Sequence, residues 1–282
     1  MKVRIALPDT FTEGYTPLRR TVSVSLVARA AAIFGVDRIL FYSERNRRSE
    51  CLSEVVKILK YAETPQYLRK LLFERDESLK FAGVIPPLRT PHHKLKVRME
   101  EVGRGEVREG VVIRSSSKGS VVYVGRDVPA LIPKRKLKLG SRVTVRILEK
   151  VKGGFLGELV SKEELEEYWG YDIVVSGLDL SELLRREGRK NTLIILTSRL
   201  GNPIDKKFEE LRKTISERRG VLLVFGSQKR GVFDILGERL RRTPHDFVLN
   251  LVPDQKVETI RTEEAVIIAL SIVNLALRMG DR

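Results

Sequence analysis

A single cysteine, Cys51, in 282 residues leaves no disulfide framework and no cysteine zinc site. Histidine is almost as scarce, with only His92, His93 and His245. The adjacent pair has no cysteine or acidic residue at ligand spacing, so no metal is expected. No apolar run reaches the roughly 18–20 residues of a membrane span. The longest, over 265–277, is interrupted by Ser271 and Asn274. The opening stretch MKVRIALPDTF reads as a strand rather than a secretory leader, so a cytoplasmic location without membrane association is expected. Neither GxGxxG nor GxxxxGK[ST] occurs, which removes the usual signals for binding nucleotide phosphates.

What the chain does have is positive charge. Lys and Arg number 53 against 37 Asp and Glu, a net +16, and the hydrophobic fraction of 42% is enough for real cores. Such a balance suggests a polyanionic partner. The charge is concentrated: residues 88–152 hold 17 basic and 6 acidic side chains, a net of 17 − 6 = +11. The same segment is a series of short β-type runs (106–114, 120–124, 128–132, 142–148 and 155–160), separated by glycine and basic turns such as SSSKGS and KRKLKLGS. Five short strands with regular turn signals predict a small barrel. With a basic surface, the OB type is favoured, a common nucleic-acid binder. Few aromatics interrupt it, so affinity is expected from Lys and Arg contacts to the RNA backbone.

The flanking regions follow another pattern. Strands are expected over 3–7, 38–42, 172–176, 192–196, 221–225 and 247–251. Helices are expected over 18–34, 51–61, 66–73, 208–216 and 262–277, and one starts within 163–169. Apolar strands alternating with helices predict a parallel sheet covered on both faces. The proline-rich 83–91 breaks the pattern. The expected domains are therefore 1–88 and 163–282, together forming the α/β sheet domain, with the barrel inserted as 89–162. Trp169 is expected to pack between domains.

In an open α/β sheet the loops at the strands' carboxyl ends bind ligands. Here these are 197–202 (TSRLGN), 226–231 (GSQKRG) and 252–262 (VPDQKVETIRT). The order of an apolar strand, FGS and xxRG, then NLVPDQKVETIRTEEAV leading into an apolar helix, resembles the SPOUT superfamily of RNA methyltransferases. The strings TPQYLRK (64–70), LKFAGVIPPLRTPHH (79–93), YWGY (168–171) and TIRTEEA (259–265) resemble its archaeal and eukaryotic branch with an inserted OB-like domain. The resemblance covers essentially the whole chain. It implies an α/β fold with a trefoil-knotted, S-adenosylmethionine-binding site and a homodimer through the C-terminal helix.

Residue by residue, the resemblance implies cofactor contacts from Thr197 and Arg199 in the first loop and Gly226 and Ser227 in the second. From the third region it implies Asn250, Leu251, Pro253, Gln255, Ile260 and Thr262. Gln228 stands where many members carry Glu. Arg29, within LVARAAAIFGV (26–36), matches a family Arg that points to the acceptor nucleotide. Arg20, upstream in the same helix, is suited to clamp a phosphate with two hydrogen bonds. In SERNRRS (43–49), Glu44 is a candidate carboxylate, and Arg45, Arg47 and Arg48 are candidate RNA contacts, while the pair His92 and His93 reads as a hinge or an RNA contact. The expected activity is methylation of RNA, foremost ribosomal RNA, on a base nitrogen such as uridine N3 or on a ribose 2′-hydroxyl. The alternative is a non-enzymatic RNA-binding or ribosome assembly factor that keeps the cofactor pocket.

Overall fold

The structure, a computed structural model, describes residues 1–45, 49–94, 102–125, 129–188 and 191–280. The candidate RNA contacts Arg47 and Arg48 lie outside these. In chain order the elements begin with β1 (Lys2–Pro8), α1 (Pro17–Ile33), β2 (Val36–Ser43), α2 (Leu52–Glu63) and α3 (Gln66–Leu72). Five strands follow: β3 (Val107–Ser116), β4 (Gly119–Tyr123), β5 (Ala130–Pro133), β6 (Arg142–Val151) and β7 (Gly154–Leu159). The chain continues with β8 (Asp172–Asp179), α4 (Leu180–Gly188), β9 (Thr192–Pro203), α5 (Ile204–Ser216) and β10 (Gly220–Val224). It ends with α6 (Val232–Leu236), β11 (Phe247–Asn250) and α7 (Thr262–Gly280).

The chain divides into two compact units. The first comprises Met1–Lys60, Phe81–Pro86 and Tyr171–Arg282. Six parallel strands form its sheet in the order β11-β9-β10-β1-β2-β8. Ile5, Ala6 and Leu7 of β1 are all fully buried, so the strand is covered on both faces, as a parallel sheet requires. On one face Ala6, Leu40, Leu196 and Val224 pack against Leu180, Leu183 and Leu184 of α4 and Val232, Ile235 and Leu236 of α6. The other layer is α1, α5 and α7, which pack on one another. Thr16 caps α1 by accepting from the Arg19 amide at 3.4 Å, and Pro17 opens the helix with its φ already set. No helix among the described residues is long and apolar enough to cross a membrane.

Two local readings change. The stretch expected as a free loop over 197–202 belongs to the long strand β9. Strand β11 pairs Val248 with Leu196 and then Leu249 with Asn202, so the residues between Leu196 and Asn202 bulge out of the ladder. The bulge needs Gly201, where a Cβ would sit 2.7 Å from the Val248 carbonyl oxygen. The helix expected within 163–169 is a single turn over Lys162–Glu164, closed by the Ser161 amide donating to Glu164 Oε1 at 3.1 Å. Beyond it the backbone is irregular and buries Trp169, which is only 5% exposed. Helix α4 stands where the sequence pattern suggested no element.

The second unit comprises Tyr61–Lys80 and Pro87–Gly170. Its five strands close into a barrel, β3-β4-β5-β7-β6, in which β6 returns to β3 and β5 runs parallel to β7. The barrel is filled by Val112, Val122, Val124, Ala130, Ile132, Val145, Ile147 and Phe155. Beside this apolar core runs a buried polar network. Arg142 of β6 donates to Glu109 and to Glu63 Oε1 at 3.1 Å. Glu109 Oε1 also accepts from the Trp169 indole and the Thr144 hydroxyl, both at 2.6 Å. His92, fully buried, places Nε2 at 2.9 Å from the Glu63 carbonyl and 3.1 Å from its Oε1, while Thr90 approaches Nδ1 at 3.1 Å. A histidine so enclosed is a structural strut, not an RNA contact, and Trp169 is held inside the same unit.

This network makes the barrel unit sensitive to acid. Burial alone would raise the Glu63 carboxyl, but hydrogen bonding from His92 and the charge and hydrogen bond of Arg142 outweigh it and hold the pKa at about 2 instead of 4.5. His93 is lowered from 6.5 to about 4, by burial first and by its neighbour His92 second. In both cases the unfolded chain binds protons more readily than the folded one, so stability falls as pH falls. The His93 contribution is lost between pH 6.5 and 4, and the Glu63 contribution between pH 4.5 and 2. Urea unfolding followed across this range should show both losses. Glu63→Ala, which removes one of the two carboxylates paired with Arg142 and the acceptor beside His92, should lower stability by about 3 kcal/mol at pH 7 and flatten the lower-pH loss.

Candidate functional site

The carboxyl ends of β9, β10 and β11 surround a cavity of ≈ 320 Å³, within the range of small-molecule sites. Three segments build it, and their own hydrogen bonds tie them together. The bulge of β9 is joined to the third loop by Arg199 Nη1, which donates to the Glu258 carbonyl at 3.0 Å. Asn250 Nδ2, at the end of β11, donates to the Arg199 carbonyl at 3.1 Å. Thr197 Oγ1 donates to the Val224 carbonyl at 2.9 Å, fixing the bulge to β10. The second loop is joined to α7 by Thr262 Oγ1, which donates to the Gly226 carbonyl at 3.2 Å. Gln255 Nε2 closes the third loop on itself through the carbonyls of Val257 at 2.8 Å and Glu258 at 3.1 Å.

The turn after β10 is tight. Ser227 N donates to the Arg230 carbonyl at 2.9 Å, and a Cβ at Gly226 would lie 2.6 Å from that same oxygen. Only glycine fits there. Nine of the ten expected contact residues line the cavity: Thr197, Arg199, Gly226, Ser227, Asn250, Leu251, Gln255, Ile260 and Thr262. Pro253 does not line it and sits half-buried in the third loop. Loop matching missed the apolar floor of Phe225, Phe233, Leu249 and Ile268 and the rim residues Lys229 and Arg230. The signal for the floor was available: Phe225 ends a buried strand, and Phe233 and Ile268 fall within the first two turns of helices that follow two of the loops. Gln228, the departure from the family pattern, lines the cavity.

The other expected residues fall elsewhere in the same unit. A second, polar cavity of ≈ 420 Å³ lies beyond β1 and β2, lined by Thr10, Glu13, Gly14, Arg20, Arg45, Ser49, Glu50, Cys51 and Glu54. Arg20 is held there by Glu54 and by the Tyr15 carbonyl at 3.3 Å, which leaves it ill placed to clamp a phosphate. Arg45 pairs with Glu13 at 2.9 Å. Glu44 is buried at the end of β2, accepts from the Thr10 hydroxyl, and lies 3.7 Å from Arg230. Asp9, at the end of β1, accepts from the Glu44 and Ser49 amides, each at 3.1 Å. Arg29 is half-buried on α1 and lines neither of these cavities.

The barrel unit carries a candidate surface of its own. Ser120, fully buried, donates to the Arg135 carbonyl at 2.6 Å and accepts from the Leu137 amide at 2.9 Å. The Lys134 amide donates to the Lys118 carbonyl at 3.1 Å. These bonds gather the β3–β4 turn and the β5–β6 connection at one end of the barrel. Arg114, Lys118, Lys134, Arg135, Lys136 and Lys138 are all exposed there, a surface suited to phosphates.

The chain belongs to an RNA methyltransferase family: residues 2–273 match the family described as "Putative RNA methyltransferase". It is 30% identical to the 28S rRNA (uridine-N(3))-methyltransferase of Mus musculus, over 99% of this chain and 77% of that protein. The protein of the same name from Homo sapiens is also 30% identical, over 97% of this chain and 78% of its own length. An uncharacterized protein of Haloarcula marismortui is 31% identical over 98% of this chain and 99% of its own.

The ties within the cavity predict a local effect. Arg199→Ala removes the charged bond to the Glu258 carbonyl, worth about 1.5 kcal/mol or more. Amide hydrogen exchange over 255–262 should accelerate about tenfold, while the core of β9 and β10 stays protected.

Proposed function

We propose that this chain transfers a methyl group from S-adenosylmethionine to N3 of a uridine in ribosomal RNA. The cavity closed by three mutually tied segments at the carboxyl ends of β9, β10 and β11 carries this reading. It stands in a chain whose family methylates RNA and whose near-full-length curated relatives are named for uridine N3. The cavity suits the cofactor. An apolar floor of Phe225, Leu249 and Ile268 fits a flat heterocycle, and loop backbone and hydroxyls around it fit its polar edges. Nothing in it resembles a phosphate cradle, and S-adenosylmethionine has no phosphate. When bound, the cofactor supplies an activated methyl. Thr197, Arg199, Gly226, Ser227, Asn250, Leu251, Gln255, Ile260 and Thr262 hold and orient it, and Pro253 stiffens the third loop. Positioning of this kind is most of what methyl displacement requires.

In this reading the three segments form the trefoil-knotted site of a SPOUT enzyme. The barrel is of OB type, which its strand order and the parallel β5–β7 pair support. Its basic end supplies RNA affinity. The molecule acts in the cytoplasm as a homodimer. Leu18, Val22, Leu26 and Ile33 form an exposed apolar row on α1, and Ile267, Leu275 and Met279 remain exposed on α7, whose Val266, Leu270 and Val273 are already buried within the chain. Arg29 lies on the same helix as that row, from which it would reach an acceptor nucleotide bound by the partner.

The test is labelled methyl transfer to total RNA from a strain lacking this protein, followed by nucleoside analysis. 3-Methyluridine in ribosomal RNA is the expected product, and micromolar binding of S-adenosylmethionine should be seen by calorimetry. Binding without transfer would favour the assembly-factor reading, and absence of binding at hundreds of micromolar would sink both. Replacing Lys134, Arg135, Lys136 and Lys138 by Ala should leave cofactor affinity intact. RNA binding should weaken, and its salt slope should shrink by up to about 0.7–0.9 for each phosphate that is no longer neutralised.

A further inference from the structure

One buried carboxylate lines neither cavity but touches a residue of each. Glu44 ends β2 with its side chain 1% exposed. Its Oε2 accepts from Thr10, and Thr10 lines the polar cavity of ≈ 420 Å³. Its Oε1 is buried with no hydrogen-bond partner, and Arg230 Nη1 stands 3.7 Å away. Arg230 in turn lines the cofactor cavity. Buried polar atoms in folded proteins are nearly always satisfied, so an open carboxylate oxygen between two cavities calls for a donor from a ligand.

The charge of the polar cavity says what can enter. Among the described residues both arginines that line it are paired, Arg20 with Glu54 and Arg45 with Glu13. Among the described residues, Glu50 on the rim and Glu44 behind Thr10 then leave the lining negative, which disfavours phosphate and favours a neutral ligand bearing an N–H. In RNA only the bases offer that. The rim residues Gly14, Arg45 and Glu50 are exposed and the floor residues Thr10 and Cys51 are buried, so a base has a way in and a depth to fill.

Resting on the methyltransferase reading, we propose that this second cavity is the acceptor-base pocket, that it takes a uracil, and that Glu44 removes the N3 proton. The N3–H bond breaks, the proton passes to Glu44 Oε1, and the electron pair stays on N3. N3 bonds to the methyl carbon as the carbon–sulfur bond of the sulfonium donor breaks, its electrons remaining on sulfur. Glu44 then releases its proton to water. Among the described residues, the groups facing Glu44 are Asp9, Tyr42, Thr10 and Arg230. Asp9 is raised by burial first and by the Glu44 charge among lesser causes, and its oxygens are occupied by two backbone amides, so it positions the β2 end and does not act as the base. Tyr42 is fully buried and pushed well above its usual range by burial, and it donates to the Phe225 carbonyl at 2.7 Å. Arg230 supplies the only positive charge among these four.

Base preference tests the proposal without catalysis. A carboxylate accepts from uridine N3–H and repels the N3 lone pair of cytidine, whereas a glutamine amide donates to cytidine N3. Saturation-transfer NMR with uridine and cytidine 5′-monophosphates should show wild type preferring uridine at least fivefold, and Glu44→Gln should abolish or reverse that preference. Single-turnover methylation by Glu44→Gln should fall about 100-fold at neutral pH, a usual contribution of general base catalysis. The deficit should shrink as pH rises, because uracil then loses its proton unaided. Thr10→Val, which removes the hydroxyl that orients Glu44, should show a smaller loss of the same kind and serves if Glu44→Gln fails to fold. Cofactor affinity should stay within threefold in both variants. Unchanged base preference in a folded Glu44→Gln, no nucleotide binding by wild type, or a Glu44→Gln rate within threefold of wild type would overturn the pocket assignment. Failure of the methyltransferase reading would appear separately, as wild-type protein that binds no S-adenosylmethionine.

Discussion

The pairing of β1 with β10 is the constraint on which the functional unit depends. The first strand of the chain lies between β10 and β2, with Ile5 opposite Leu223 on one side and Ile39 on the other. Residues about 218 positions apart in sequence are thus hydrogen-bonded neighbours, and loop closure over that distance has to be repaid by apolar contacts. The repayment is visible in β1, β9 and β10, whose central residues are all fully buried or nearly so. Because the pairing is parallel, the carboxyl ends of these strands lie on one edge. The turn of Gly226, the bulge of Arg199, the end of β1 at Asp9 and the end of β2 at Glu44 are therefore neighbours, although the sequence scatters them.

That edge separates two kinds of chemistry. On the β9–β10–β11 side backbone carbonyls and amides, hydroxyls and an apolar floor are tied together by hydrogen bonds, with Arg199, Lys229, Arg230, Asp234 and Glu258 also in the lining. On the β1–β2 side the groups are carboxylates, with arginines paired to some of them. Arg230 belongs to the loop of the first and faces the carboxylate of the second, which gives the two halves one shared boundary.

The barrel unit solves a different problem. Many cations on one small barrel repel one another. Inside the unit, Glu63 and Glu109 share Arg142, and Glu109 also accepts from Trp169 and Thr144. A buried carboxylate pair around one guanidinium costs desolvation, and it is tolerated because nearly every oxygen has a donor. The cations gathered at the β3–β4 and β5–β6 end are exposed to solvent and remain available to a polyanion.

The amino-acid sequence by itself determined the class of fold, the barrel and most of the residues that line the cavity at the carboxyl ends of β9, β10 and β11, because each is written locally. Apolar runs of strand length, glycines at turns and strings such as TIRTEEA need no distant partner to be recognised. It also carried Glu44 as a candidate, a carboxylate in the charged loop directly after a buried strand. What only the tertiary structure decided depends on residues meeting from far apart. His92 became a buried strut because Glu63 folds onto it, Arg20 was taken up by Glu54, and the loop at 197 proved to be a bulge once β11 skipped it. The open oxygen of Glu44 between two cavities belongs to the same group, because burial and an unmet hydrogen bond are properties of surroundings, and surroundings are assembled only when strands from both ends of the chain share one sheet.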